Sequence, residues 1–237
     1  MSKNNENDPE TSEQLSEPLR LTRRDLLKTT GVAAAGAAGV GGQVARARAA
    51  TPVADADSQP YRPNFHFAPS SGWMNDPNGL VYHDGEYHLF YQAGEDERRW
   101  DHAVSDDLLT WTELGTALPV EDGIEQWSGG GVVDANDTAG FGAESLVFHY
   151  TGEHQGEPRQ DQRLAYSTDD GRTVTKYDAN PVLPADGDAF RDPNVFWYDP
   201  DGSWRMVVGR VAAEPENERP KGVEIYSSSD QIGRAHV

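Results

Sequence analysis

The chain has 237 residues, no cysteine and a net charge of −20, from 20 Lys and Arg against 40 Asp and Glu. The absence of cysteine excludes a disulfide scaffold, a cysteine zinc site and thiol catalysis, and no apolar run is long enough to span a bilayer as a helix. Such an acidic chain repels nucleic acid and anionic lipid and is typical of the solvated surface of a salt-adapted protein, with a surface for basic partners as the alternative.

The N-terminal segment has the order of an export signal. Residues 1–20 are polar and rich in Glu, Asn and Ser, a composition that predicts disorder. Arg23 and Arg24 follow, then a run of small, weakly apolar residues over 29–42 and small-residue cleavage sites over 45–50. This order resembles a twin-arginine signal, with an amphipathic helix as the alternative. We expect the twin-arginine translocase to export the folded protein, residues 1–50 to be removed, and the product to be secreted and free of the membrane.

Residues 51–231 repeat a pattern about 60 residues long. Each repeat contains a first strand, a second strand of alternating apolar residues and a third strand that ends in Ser and Asp; Ser105, Ser167 and Ser227 recur at spacings of 62 and 60. Two of the second strands open with Asp-Gly, a hairpin signal. Two repeats run on into a short fourth strand. Four antiparallel strands per repeat, with no helical period, predict an all-β protein made of propeller blades; a β-sandwich is the alternative.

Two aspartates occupy corresponding places in the first strands of the first and third repeats, Asp76 and Asp192. The innermost strand of every propeller blade lines the axial channel, so both carboxylates are expected to face one pocket. A pair of carboxylates over one pocket is what glycoside hydrolysis requires.

Several motifs, in the same order along the chain, resemble glycoside hydrolase family 32, which contains invertases, levanases and inulinases. The most specific is WMNDPNG at residues 73–79, and the others lie at 89–92, 100–105, 150–152, 165–177 and 190–193. The resemblance covers about residues 61–231. It implies a five-bladed β-propeller, usually followed by a β-sandwich, of which this chain holds about three blades. It also implies cleavage of β-fructofuranosides with retention of configuration.

The resemblance implies roles for individual residues. Asp76 is implied to be the nucleophile that attacks the anomeric carbon and forms a covalent fructosyl-enzyme. Asp192 is implied to stay an anion, held ionised by Arg191, and to accept hydrogen bonds that strengthen as positive charge develops on the sugar ring. The resemblance further implies that six residues contact the substrate: Asn75, Gln92, Trp100, Trp127, Ser128 and Arg191.

Each of these residues also has a structural interpretation. Asp76 and Asp192 each precede a proline, a pair that favours turns. Gln92 and Ser128 are equally consistent with internal hydrogen bonds. The indoles of Trp100 and Trp127 are consistent with packing between blades.

Three positions depart from the family pattern. Trp127 stands where the family usually has Phe, Asp101 where it usually has Gly, and Gly130 where it commonly has Ser. We expect the departures at Asp101 and Gly130 to affect the local geometry of the sugar subsites and to leave the reaction class unchanged.

A retaining glycosidase needs a proton donor for the leaving group. The resemblance implies a Glu in a Glu-Cys-Pro or similar motif, and no such motif occurs in this sequence. We therefore expect residues 51–237 alone to release no fructose. Residues 232–237 can be back-translated as a common sequencing-library adapter, and we interpret them as a sequencing artefact, which re-sequencing of the gene would test.

The sequence thus predicts a secreted β-fructofuranosidase that acts on sucrose, levan or inulin by a retaining mechanism, without a metal or cofactor. Two alternatives stay open at this point. One is an inverting furanosidase on the same propeller, similar to an arabinanase, and the other is a non-catalytic sugar-binding propeller. Transfer of fructose to another sugar is chemically adjacent to hydrolysis.

Overall fold

Three four-stranded antiparallel sheets make up the part of the chain that the structure describes. In the computed structural model this part comprises residues 61–63, 65–157, 159–184, 189–210, 222–232 and 235–236, and the predicted signal in residues 1–50 lies outside it. The first blade contains β1 (Met74–His83), β2 (Glu86–Ala93), β3 (Arg99–Ser105) and β4 (Thr112–Leu118). The second contains β5 (Ile124–Asp134), β6 (Ser145–His154), β7 (Gln160–Ser167) and β8 (Thr175–Lys176). The third contains β9 (Phe190–Tyr198), β10 (Ser203–Arg210), β11 (Gly222–Ser228) and β12 (Ala235–His236).

The prediction of an all-β protein built from propeller blades is confirmed. The strands of every blade are hydrogen-bonded in chain order, which is the meander of a propeller blade. Among the described residues there is no α-helix, and hence none long and apolar enough to cross a membrane. The short β12 lies in the segment interpreted as adapter-derived and pairs with β11 at Tyr226 and Ser227; the interpretation concerns the gene and stays a prediction.

Turn chemistry explains where the strands stop. Asp84 and Gly85 both have positive φ, 44° and 89°, as a two-residue hairpin turn requires. The third strand of each blade ends on a serine whose hydroxyl donates to the aspartate two positions later: Ser105 to Asp107, Ser167 to Asp169 and Ser228 to Asp230. The alignment of Ser227 with Ser105 was therefore wrong by one residue, since Ser228 is the serine that pairs with Trp204. Three consecutive serines give the sequence pattern no means of choosing among them.

The core lies between consecutive sheets. Phe90, Trp100 and Leu118 of the first blade pack against Leu146, Phe148, Tyr150 and Ala165 of the second, and each side chain is at most 1% exposed. The ring of Phe90 meets that of Phe148 edge-on with centroids 4.6 Å apart, a favourable aromatic geometry. A second cluster joins Leu183 and the third blade's Phe190 and Val208. These strands form three separate four-stranded sheets, whereas a β-sandwich would place them in two.

The innermost strands β1, β5 and β9 approach closely because β5 carries glycines at the point of contact. A Cβ added to Gly131 would lie 3.1 Å from the Gly79 Cα in β1, and one added to Gly130 would lie 2.9 Å from the Asn194 Oδ1 in β9. A side chain at Gly131 would press on the β1 backbone, and one at Gly130 would displace the Asn194 amide. The glycines thus bring the inner strands of three blades together around one site.

Two buried histidines, His102 in the first blade and His149 in the second, make stability depend on pH. Burial lowers the pKa of His102 to about 3, assisted by the charges of His88 and Arg172, while a hydrogen bond to the Gly171 backbone opposes the shift. Burial also lowers the pKa of His149 to about 4. Between about pH 6.5 and these values, only the unfolded chain takes up the protons, so stability falls as the pH falls.

We expect the free energy of unfolding to fall by about 2 kcal/mol for each such histidine as the pH drops from 7 to 5, because the slope approaches about 1.4 kcal/mol per pH unit only below the unfolded-state pKa of about 6.5. The measurement is urea unfolding at the two pH values, for the parent protein and for His102→Gln, which removes one titrating group. The variant should lose less stability than the parent over this interval. Equal losses in both proteins would contradict a neutral buried His102.

Candidate active site

Each innermost strand contains a two-residue irregularity, and these three bulges contain most of the predicted site residues. The register shifts between Met74 and Pro77 in β1, and between Gln126 and Gly129 in β5. It also shifts in β9, opposite the step from Val207 to Gly209. The bulged residues are Asn75, Asp76, Trp127, Ser128, Asp192 and Pro193. Because a bulge turns side chains away from the regular alternation, these residues can point along the channel and not into the sheet packing.

A chain of hydrogen bonds runs from the first blade to Ser128 of the second and returns to Asp76 of the first. The Asn75 Nδ2 donates to the Gln92 Oε1 over 3.4 Å, and the Gln92 Nε2 donates to the Ser128 Oγ over 2.9 Å. The Ser128 hydroxyl then donates to the Asp76 Oδ2 over 2.6 Å, the short distance expected of a hydroxyl bound to a carboxylate. Since this bond occupies Oδ2, the other oxygen, Oδ1, is the one that can approach a substrate. Asp76 and Asn75 are exposed and Gln92 is buried.

Asn78 fixes the backbone beneath Asp76. Its side chain is 2% exposed; the amide nitrogen donates to the Asp76 carbonyl over 3.2 Å and the amide oxygen accepts the Gly129 N–H over 3.1 Å. The residue therefore ties β1 to β5 at the level of the two bulges. Sequence reasoning missed it because Asn in Asp-Pro-Asn-Gly looks like an ordinary turn residue; its position within the most specific motif was the available signal.

Asp192 is partly exposed and lies within the field of Asp76. Loss of hydration raises the pKa of the Asp192 carboxyl, Arg191 opposes this, and the Asp76 carboxylate adds to it. The Arg191 Nε lies 3.7 Å from the Asp192 Oδ2. Arg191 therefore acts in the predicted direction, but burial outweighs it. The influence of the Asp76 charge on the Asp192 pKa indicates that the two carboxylates lie within electrostatic range of each other.

The two tryptophans have different roles. Trp100 has no exposed surface, and its ring meets those of Phe148 and Tyr150 edge-on. Its Nε1 donates to the Trp127 carbonyl over 2.9 Å. The prediction of a sugar contact for Trp100 is therefore corrected, because an indole without exposed surface packs between blades and supports the bulge that carries Trp127.

Trp127 is half-buried and lies at the rim of the site. Its Nε1 donates to the Glu125 Oε2 over 2.8 Å, and the Arg98 guanidinium lies 5.0 Å from the ring centroid. Arg98 also lies 5.8 Å from the Trp73 ring centroid. A phenylalanine, the usual family residue, could not make the bond to Glu125, so the departure at this position comes with a partner that orients the larger ring.

The other two departures are explained by their neighbours. Asp101 accepts hydrogen bonds from Arg99 over 3.0 Å and from the Thr116 hydroxyl over 2.7 Å, which places it in a surface cluster of β3 and β4. A side chain at Gly130 would meet the Asn194 amide. The glycine thus leaves room for Asn194, and a serine there would require that amide to move.

The arrangement combines one exposed carboxylate held by a hydroxyl, a second carboxylate nearby, and amides that can bind sugar hydroxyls. These are the groups that a glycosidase uses to attack an anomeric carbon and to stabilise positive charge on a ring. Within the described residues, no three His, Asp or Glu side chains are grouped so that they could hold a metal ion.

Comparison with known proteins reveals extensive similarity. A family profile described as the glycosyl hydrolases family 32 N-terminal domain matches residues 66–233. A levanase of Bacillus subtilis (strain 168) is 50% identical over 157 residues, 62% of this chain and 23% of the relative. An extracellular exo-inulinase of Aspergillus awamori is 43% identical over 182 residues, 63% of this chain and 34% of the relative. An invertase of Wickerhamomyces anomalus is 39% identical over 194 residues, 75% of this chain and 34% of the relative.

Solved structures give the same result. The crystal structure of exo-inulinase from Aspergillus awamori superposes with a TM-score of 0.69 at 37% identity, over 76% of this chain and 40% of that one. A fructofuranosidase from Schwanniomyces occidentalis complexed with fructose superposes with a TM-score of 0.66 at 35% identity, over 74% of this chain and 36% of that one. The chain spans only 23% to 34% of the length of these curated relatives.

Proposed function

The chain belongs to glycosyl hydrolase family 32, and from this membership we propose that it is part of an enzyme that hydrolyses β-fructofuranosidic bonds with retention of configuration. The observation that carries the proposal is the exposed Asp76 carboxylate, bound on one oxygen by Ser128 and electrostatically coupled to Asp192. Residues 51–231 would belong to a five-bladed catalytic propeller, of which the described residues form three blades.

In the first step, the Asp76 Oδ1 attacks the anomeric carbon of the fructosyl unit. A bond forms between that oxygen and the carbon while the bond to the leaving group breaks, and the departing oxygen takes a proton from a general acid. The resemblance places that acid on a Glu motif that this sequence does not contain. In the second step, water attacks the same carbon and gives a proton to the conjugate base of that acid, Asp76 leaves as a carboxylate, and fructose is released.

The other site residues would stabilise the transition state. Asp192, as an anion, would accept hydrogen bonds from ring hydroxyls, and these bonds strengthen as positive charge develops on the ring. Ser128 would hold the Asp76 carboxylate in the rotamer for attack. Asn75, Gln92, Trp127 and Arg191 would line the sugar site, and Trp100 would support it from the core.

The proposed substrates are sucrose, levan and inulin. The support is the naming of relatives as levanase, exo-inulinase and invertase, and the complex of the Schwanniomyces occidentalis enzyme with fructosylnystose. The proposed location is outside the cell. It is supported by the paired arginines Arg23 and Arg24 in a signal-like order and by relatives named extracellular exo-inulinase. Export through the twin-arginine translocase and adaptation to high salt are proposed from that order and from the net charge of −20.

The stereochemistry of transfer tests the proposal. The full-length protein, meaning the complete enzyme of which this chain is proposed to be part, is incubated with sucrose, levan and inulin in water containing methanol. Methanol captures the fructosyl group as a glycoside that cannot mutarotate. We expect fructose release and a methyl β-fructofuranoside, identified by NMR, because two successive displacements restore the starting configuration. The α-anomer would indicate an inverting enzyme, and no turnover of any of the three sugars would contradict the proposed function.

A further inference from the structure

The first residues of β9 are held by three buried side chains from the second blade. The Gln160 Oε1 accepts the Phe190 N–H over 3.0 Å, and the Gln162 Nε2 donates to the Phe190 carbonyl over 2.7 Å. The Thr151 Oγ1 accepts the Asp192 N–H over 3.0 Å. Thr151 and Gln162 have no exposed surface and Gln160 is 2% exposed. The strand that carries Asp192 is therefore positioned by hydrogen bonds across the boundary between two blades.

The direction of each hydrogen bond in this network is determined by its neighbours. The Phe190 carbonyl can only accept, so the Gln162 amide must present its nitrogen there and its oxygen towards Thr151. The Thr151 hydroxyl accordingly donates to the Gln162 Oε1 over 3.2 Å. Its lone pair is then directed at the Asp192 N–H. A buried threonine held in this way is an acceptor of fixed orientation.

Asp192 needs such a partner because its backbone is unfavourable. Its φ of 63° lies in the left-handed region, which costs a residue with a Cβ about 1–2 kcal/mol. The residue also lies in the β9 bulge, outside the regular ladder. The contact with Arg191 is 3.7 Å long and partly exposed, and such pairs contribute little to fixing a conformation. The hydrogen bond that the Asp192 N–H donates to Thr151 is therefore a buried interaction that orients the backbone from which the Asp192 carboxylate projects.

We propose that Thr151, oriented by Gln162, is the positioning residue for Asp192. Thr151 acts through Asp192 and not on the substrate. The kinetic part of this inference rests on the proposed function, and the structural part stands without it.

The test compares Thr151→Val, which keeps the shape of the side chain and removes the hydroxyl, with Thr151→Ser, which keeps the hydroxyl. In the full-length protein we expect the valine variant to lose about tenfold to a hundredfold in kcat with a smaller change in KM, because the Asp192 N–H is left without its acceptor and the carboxylate is displaced. The serine variant should stay within about threefold of the parent. Should the valine variant fail to fold, Thr151→Cys replaces it, since a thiol is a weak acceptor.

A matched control separates positioning from general stability. Thr138→Val removes a hydroxyl that accepts a hydrogen bond from the Trp204 Nε1 over 2.8 Å between the same two blades. This control should lower the melting temperature while leaving kcat and KM unchanged. If it lowers kcat as much as Thr151→Val does, or if Thr151→Ser is as slow as Thr151→Val, the inference is overturned.

A second readout does not require activity. The Asp192 carboxyl is titrated by carbon-13 NMR in the parent and in both Thr151 variants. We expect its midpoint to shift in Thr151→Val, because the carboxyl leaves its partly desolvated place, and to stay unchanged in Thr151→Ser. An inactive parent protein would contradict the proposed function. The titration would still test whether Thr151 positions Asp192. An unchanged midpoint in Thr151→Val would overturn it.

Discussion

Full-length protein that carries Asp76→Asn is expected to release fructose about four orders of magnitude more slowly than the parent, because the amide is a poor nucleophile for an anomeric carbon. The change is nearly isosteric, and an amide oxygen can still accept the Ser128 hydroxyl that now bonds to the Asp76 Oδ2. Folding should therefore be intact, and the loss should appear in kcat. Initial rates of fructose release from sucrose give the measurement, and Asp106→Asn, a change at an exposed turn residue, is the control that should leave the rate unchanged.

Chemical rescue tests the same role in a different way. In Asp76→Ala the space of the carboxylate is free, so azide can attack an activated fructofuranoside whose leaving group needs no proton. One displacement by azide inverts the configuration, and we expect an α-fructosyl azide to accumulate only in this variant. In the parent, mass spectrometry after rapid quenching should find a fructosyl group on the peptide that contains Asp76. A parent-like rate in Asp76→Asn, or an adduct on another carboxylate, would assign the nucleophile elsewhere.

The sequence was sufficient to predict the blades because their signals are local. Alternating apolar residues in β2, β6 and β10 and the turn chemistry at Asp84 and Gly85 depend on neighbours in the chain. The repeat then placed the first strands in equivalent positions, and the coupling of Asp76 to Asp192 follows from that equivalence. Where three serines adjoin, at Ser227 and its neighbours, the pattern has no feature that fixes the register, and the alignment was wrong by one residue.

The details of the site could not be predicted because they depend on contacts between blades. A bulge adds one residue to a strand and leaves no side-chain signature, so the exposure of Asp76 and the left-handed φ of Asp192 follow only from the pairing of strands. Thr151 and Gln162 are polar strand residues whose neighbours in the chain give no sign of burial, yet both are buried against β9. Trp100 was predicted to contact sugar because an indole can pack on a sugar ring as well as in a protein core. Its contact with Phe148 shows that it belongs to the core between the blades.

A second large effect, on stability, is expected from substitution of Gly129. This residue follows the bulge of β5, where the backbones of β5 and β6 approach closely. A Cβ on this residue would lie 2.0 Å from the His149 carbonyl oxygen and 2.6 Å from the Tyr150 Cα. Both atoms belong to the backbone of β6, the paired neighbour of β5, so neither can move aside as the end of a side chain can. Gly129 also donates its N–H to Asn78, and separating β5 from β6 would disturb the support beneath Asp76.

We therefore expect Gly129→Ala to lower the free energy of unfolding by about 4 kcal/mol or more, at the upper end of overpacking changes, and to abolish folding in a marginally stable background. The matched control is Gly222→Ala in β11, where an added Cβ meets nothing within 4 Å and the stability should change by about 1 kcal/mol or less. Urea unfolding followed by circular dichroism, together with soluble yield, compares the two variants with the parent. If Gly129→Ala unfolds at the same denaturant concentration as Gly222→Ala, β5 and β6 do not lie at the separation that places Ser128 against Asp76, and Ser128 does not hold the nucleophile in the orientation given above.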